Sequence, residues 1–153
     1  MSDGVRDFLR QALGRSPRDG AERQYGAIPW RRSAGGVEFL LVTSRRTRRW
    51  IFPKGGRMAW LSPQATAQQE AFEEAGVEGN IAEHPAGLYR STKRRESGDI
   101  EIEVEMFPLE VTVELEDWPE KRQRTRQWVG ADEACAMISE PELLPMIRAV
   151  AAA

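Results

Sequence analysis

The sequence predicts an α/β domain layered on a mixed sheet, and two observations predict it. "YGAIPWR", "VEFLLVT" and "IEIEVEMFPLEVTVEL" have the apolar clustering or alternation of strands. Segments rich in helix formers, over 65–75, "GADEACAMI" and "ELLPMIRAV", are dispersed among them without regular alternation. Helices interspersed irregularly with strands imply helical layers over a sheet of mixed direction.

Residues 1–22 are polar, contain "GRSPRDG" and offer only Val5, Phe8, Leu9 and Leu13 as an apolar stripe, so a loosely docked N-terminal arm is expected before a domain over 23–153. "YGAIPWR" and "VEFLLVT" are then two strands joined by the turn signal "SAGG". "RWIFPK" is a short apolar segment leading into the glycine turn of "FPKGG". Ser62 can cap the next helix, Pro63 suits its first position, and Gly76 suits a left-handed stop. Next come "AGLYRS", the loop "STKRRESGD" and a long strand. In that strand Ile100, Ile102, Val104 and Met106 alternate with Glu101, Glu103 and Glu105, which predicts a half-buried antiparallel strand with its glutamates in solvent. "RQWV" is a last short strand, and Pro141 interrupts the C-terminal helical region.

With 153 residues and 41% hydrophobic content the chain fits one domain with a continuous core. No apolar run approaches the roughly 20 residues of a membrane span, and the N-terminus lacks a signal-peptide apolar core, so a cytoplasmic location is expected. Cys135 is the only cysteine, which excludes an internal disulfide and a cysteine-rich zinc site; it reads as small apolar filler on the C-terminal helix. His84 is the only histidine, which excludes a histidine-dominated metal site. The five tryptophans read as packing residues except Trp60, which lies in the turn before the acidic helix and could stack on a base. Net charge is −2, yet "RRTRR", "KRR" and "KRQRTR" are local basic clusters. They suit a small anionic ligand, whereas a near-neutral balance without an extended basic stripe disfavours nucleic acid. No membrane partner is implied, and a homodimer is compatible with the pattern.

The chemistry concentrates in "QEAFEEAGVEG". Glu70, Glu73 and Glu74 stand at i, i+3 and i+4 and share one helix face near the C-terminus, where the helix dipole and mutual repulsion both oppose them. No Lys or Arg occurs between Met58 and Ile81, so the local sequence offers no counter-cation and a divalent metal is the expected one. "FPKGG" lies just before the helix, where glycine admits close backbone approach and Lys54 is placed to hold a phosphate oxygen. Mg²⁺ uses one or two carboxylates, several waters and substrate phosphates, and a free glutamate beside it can take a proton from water. Glu116 and Glu120, in the loop before "RQWV", are candidates for an additional carboxylate.

"GGRMAWLSPQATAQQEAFEEAGV" resembles a Nudix box, the pattern G, five residues, E, seven residues, R-E, apolar, any, E-E, any, G, apolar. Aligned on Gly55, it matches at Glu70, Ala71, Glu73, Glu74, Gly76 and Val77. Leu61 stands where the box has its first glutamate, and Gln69 where it has its arginine. "VTSRRTRRWIFPKGG" and "LEDWPEKRQRTRQWVGADEACAMI" resemble the flanking segments of the diphosphoinositol polyphosphate phosphohydrolase branch, which includes diadenosine polyphosphate hydrolases, so the likeness covers about 25–147. The resemblance implies an α/β/α sandwich around a mixed sheet, a Mg²⁺ or Mn²⁺ requirement and hydrolysis of a phosphoanhydride. It places metal on Glu70, Glu73, Glu74 and the Gly55 or Gly56 carbonyl, with Glu73 as ligand or base and Glu70 beside it in catalysis. Thr43, Arg45 and Lys54 fall on the polyphosphate path. The two departures, Leu61 and Gln69, motivate an alternative in which the fold binds a nucleotide or polyphosphate with little turnover.

Overall fold

The computed structural model describes residues 21–153. The arm expected over 1–22 lies outside the described residues except for its last two, of which Glu22 already opens a strand. In chain order the elements are β1 (Glu22–Ser33), β2 (Gly36–Thr43), β3 (Trp50–Ile51), β4 (Lys54–Gly56), α1 (Pro63–Ala75), β5 (Val77–Ile81), β6 (Gly87–Lys93), β7 (Ile100–Glu114), β8 (Arg126–Gly130), α2 (Ala131–Met137) and α3 (Leu143–Ala152).

β1 and β7 form the parallel centre of the sheet, in register from Glu22 opposite Ile102 to Trp30 opposite Glu110. The other pairings are antiparallel: β2 and β4 on β1, β3 and β8 on β2, β5 and β6 on β7. One face carries Tyr25, Ala27, Leu40, Val42, Phe107 and Leu109, covered by Ala67, Ala71 and Ala75 of α1. The other carries Ile28, Phe39, Leu41, Val104 and Met106, covered by Leu143, Met146, Ile147 and Val150 of α3 and by Ala134 of α2. The result is the α/β/α sandwich around a mixed sheet that the sequence predicts.

α1 begins and ends as its sequence requires. Ser62 Oγ accepts from the Ala65 N–H at 3.0 Å, proline opens the first turn, and Gly76 stops the helix at φ +66°. Its apolar contact with the sheet, however, is three alanines spaced four apart. Alanine brings the helix close but buries little area, at about 25 cal/mol per Å². The placement of α1 therefore depends unusually on what holds its ends.

Three expectations are corrected by the sheet. The segment 54–56, expected as a glycine turn, is the strand β4, paired with Gln24, Tyr25 and Gly26 of β1. β5 follows Gly76 directly although "VEGNI" carries no strand signal, because a neighbouring strand supplies the ladder; a bulge lies at Glu78/Gly79. Glu103 and Glu105, expected in solvent, are buried at 4% and 8% exposure. β7 is central and its middle is covered on both faces, so alternation here is not a core face against a wet one. The carboxylates are buried because Arg23 of β1, in register across the parallel pair, donates to Glu105 at 2.8 Å and to Glu103 at 3.2 Å. Glu101, nearer the strand end, is exposed as expected.

Trp30, Trp50 and Trp128 pack against the two cores, as does Cys135, while Trp60 is fully exposed at φ +67°. His84 sits exposed in the β5–β6 loop. No helix among the described residues is long and apolar enough to cross a membrane.

Candidate active site

An open cleft of about 450 Å³ lies where β4, α1, the β2–β3 loop, the end of β6 and segment 115–126 meet. Its acidic side is Glu70, Glu73, Glu74 and Glu120; its basic side is Arg45, Arg49, Lys54, Lys93 and Arg124. The three glutamates predicted from helical spacing thus reach one cleft together with the glycine strand and Lys54.

Glu70 and Glu74 are both buried, at 9% and 4% exposure, and stand one helical turn apart on the same face of α1 in the same cleft. Burial pushes both carboxyls up from the ordinary carboxylate range, Glu74 to about 9, with the Glu70 contact adding to the Glu74 shift. Such a pair shares a proton at neutral pH unless a cation replaces it. Gly55 lies so close that a Cβ there would meet Glu70 Oε1 at 2.2 Å and Oε2 at 2.8 Å. Only glycine leaves room for that carboxylate against the β4 backbone. Glu73 is less buried; it accepts from Gln69 Nε2 at 3.3 Å, so the amide that stands in the box's arginine position still engages the acidic face.

The counter-cation that the helix sequence lacks arrives from elsewhere in the chain. Arg124 Nη2 lies 3.6 Å from Glu74 and donates to Glu120 at 2.9 Å, while its Nη1 donates to the Thr43 carbonyl at 3.0 Å. Sequence reasoning missed Arg124, since nothing local distinguishes it from its neighbours in "KRQRTR". The same geometry fixes Thr43, which is buried and not among the cleft-lining residues. Its hydroxyl accepts from the Thr125 N–H at 2.9 Å, so Thr43 acts behind the cleft, holding Arg124.

On the rim, Arg45 donates to Gln123 at 3.3 Å and Arg49 to Glu140 at 2.8 Å. The Lys54 and Lys93 ammonium groups make no hydrogen bond or ion pair among the described residues, although both backbones lie in strand ladders. Burial lowers the Lys54 pKa, partly offset by the Glu74 carboxyl. A half-buried ammonium without a partner, facing two acidic groups, is suited to an anion that brings its own cation. Of the two further carboxylates considered, Glu120 lines the cleft and Glu116 is exposed outside it.

The donor set can be tested for a hard cation. Among the described residues no three His, Cys, Asp or Glu side chains converge into a ready cage. The neighbouring carboxylates of Glu70 and Glu74, with Gly55 packed against Glu70, fit an ion that takes two carboxylates and fills its remaining positions with water and substrate oxygen, as Mg²⁺ does. Leu61, in the box's first glutamate position, lines a separate groove with Phe72 and Leu109, away from this pair.

Fold and cleft together define a class, an α/β/α sandwich that sets a glycine strand and an acidic helix against a basic rim. No protein-family model matches the chain. It is 40% identical over 104 residues to Nudix hydrolase 12, mitochondrial, of Arabidopsis thaliana, covering 64% of this chain and 50% of that one. It is 35% identical over 136 residues to Nudix hydrolase 17, mitochondrial, of the same plant, covering 84% and 70%. A mouse relative, diphosphoinositol polyphosphate phosphohydrolase 3-alpha, is 34% identical over 104 residues, covering 66% and 60%. The chain thus spans half the length of the first of these relatives and more of the others. In three dimensions it superposes on a C. elegans Ap4A hydrolase, in a binary complex, with TM-score 0.63 over 86% of this chain and 96% of that one at 19% identity, which shows the shared fold. The chain belongs to the Nudix hydrolase family.

Proposed function

We propose that this chain hydrolyses a phosphoanhydride bond in a small, highly anionic phosphorylated substrate, using Mg²⁺ or Mn²⁺ held at Glu70 and Glu74. The observation that carries the reading is the buried pair of Glu70 and Glu74, with Gly55 packed against Glu70 and the Lys54 ammonium in the same cleft. Glu70, Glu74 and the Gly55 carbonyl are the protein donors, and Glu73 completes the set or takes the proton of the attacking water, with Glu70 next to it. A bound divalent ion supplies charge neutralisation on the phosphate oxygens and makes water more acidic. Lys54, Arg45, Arg49 and Lys93 grip the phosphates that are not cleaved, and their fork or ammonium donors suit phosphoryl oxygens. Thr43 supports Arg124 from behind.

Inositol pyrophosphates and diadenosine polyphosphates are the first compounds to test, since one relative is named for the former and one structural neighbour for the latter. Phosphate release from this panel, with and without Mg²⁺, tests the reading, and Glu70→Gln and Glu74→Gln serve as controls. Metal-dependent release that falls at least about 100-fold in both variants is expected. No release from any anhydride, or release indifferent to the metal, refutes it. Cytoplasmic placement belongs to the same proposal and is decided by cell fractionation, which would recover the chain with organelles if it is wrong.

A further inference from the structure

The last four carbonyls of a helix have no partner within it. At the end of α1 the Phe72 carbonyl is taken by the Gly76 N–H, and the carbonyls of Glu73, Glu74, Ala75 and the capping Gly76 are all satisfied by one distant segment, 115–126. The Glu73 carbonyl accepts from the Glu120 N–H at 3.0 Å, and the Glu74 carbonyl from Trp118 Nε1 at 3.1 Å. The Ala75 carbonyl accepts from Arg126 Nη1 at 2.9 Å, and the Gly76 carbonyl from the Leu115 N–H at 2.8 Å and again from Arg126 at 3.3 Å. Arg126 Nη2 closes the segment on itself through the Leu115 carbonyl at 2.6 Å, and its guanidinium lies 3.9 Å over the Trp118 ring.

This is more than a helix cap. The same segment delivers Glu120 and Arg124 to the cleft. It also docks so closely that a Cβ on Gly76 would meet Trp118 at 2.6 Å and Arg126 at 2.8 Å. Gly76 is therefore required for the approach of the segment as well as for its positive φ. The Arg126 cation faces the negative end of the helix, the end where the glutamates are least favoured. The apolar contact of α1 with the sheet is three alanines, and the bonds of those four carbonyls to segment 115–126 fix the orientation of its last turn.

We infer that Trp118 and Arg126 are positioning residues for the cation site: they hold the last turn of α1 so that the Glu74 carboxyl stands against Glu70. The inference rests on the metal reading above. Trp118→Phe keeps an aromatic ring beneath Arg126 and removes only the donor to Glu74; Arg126→Gln removes the charge and the fork; Arg126→Lys restores the charge alone. Each folded variant is titrated calorimetrically with Mn²⁺ alone, alongside thermal unfolding in EDTA and a kcat and KM determination. Mn²⁺ affinity is expected to fall about 10-fold or more in W118F and further in R126Q, with R126K between, as for other residues that orient metal ligands. The loss is expected in kcat more than in KM, because Lys54 and the rim arginines are untouched.

Variants that unfold at lower temperature yet bind Mn²⁺ like the wild type would overturn the inference and leave the metal reading standing. Wild-type protein that takes up no Mn²⁺ would overturn the metal reading and this inference with it. If R126Q does not fold, W118F alone carries the decision.

Discussion

Gly55→Ala isolates the contact at the centre of the cleft. The added Cβ would lie 2.2 Å from Glu70 Oε1 and 2.4 Å from its Cδ, more than 1 Å short of ordinary contact. Neither partner can yield freely: Gly55 is paired with Tyr25 in the β1–β4 ladder, and Glu70 is buried against Glu74. Overpacking of this kind costs about 1–3 kcal/mol, which for a domain of this size lowers Tm by roughly 2–12 °C. A carboxylate displaced by about 1 Å costs on the order of 100-fold in turnover. Gly56→Ala is the control, since a Cβ there meets nothing within 4 Å and its φ is not positive. Thermal unfolding in EDTA, Mg²⁺ titration and phosphate release are measured on both. G55A with wild-type Tm and wild-type Mg²⁺ affinity would show that Glu70 does not need the glycine and would refute the reasoning.

The raised pKa values give a pH signature to the metal-free protein. A carboxyl whose folded pKa lies above its unfolded value takes up a proton on folding, so its contribution is most favourable below about pH 4.5 and is lost as pH rises toward about 9, where Glu74 ionises. In EDTA, Tm should fall between pH 5.5 and 8.5, and Glu74→Gln should flatten that slope; parallel curves for the two proteins would contradict the coupled pair. Mg²⁺ should reverse the trend by replacing the shared proton. On the other side of β1, Arg23→Gln takes from the buried Glu105 its 2.8 Å ion pair, while Glu103 keeps Arg90 at 3.7 Å; leaving one buried carboxylate unpaired costs about 3–5 kcal/mol, or a Tm fall of at least ~6 °C. Mn²⁺ affinity should be unchanged in the folded R23Q protein, and a parallel loss would tie that ion triad to the cleft.

Local chemistry made the acidic helix legible. Ser62, Pro63 and Gly76 are residues whose own backbone preferences start and stop a helix, and a spacing of three and four aligns Glu70, Glu73 and Glu74 whatever lies around them. The glycines before the helix were recognisable as a close approach, although not as a strand, because β4 exists only through its pairing with β1. β5 was hidden for the same reason. The buried glutamates of β7 were misread because alternation distinguishes two faces and cannot say whether the second is wet; a central strand has no wet face, and Arg23 comes from the other end of the chain.

The sequence by itself determined the helix, its carboxylate face, the strands β1, β2, β7 and β8 and the family pattern, because these depend on contacts within a few residues. Only the tertiary structure decided that Arg124 is the cation facing Glu74, that Trp118 and Arg126 close the helix, that Thr43 stands behind the cleft and that Lys54 is left without a partner. Those pairings join residues 43, 74, 75 and 115–126, and separations of that length are set by the packing of the sheet rather than by any preference of the local chain.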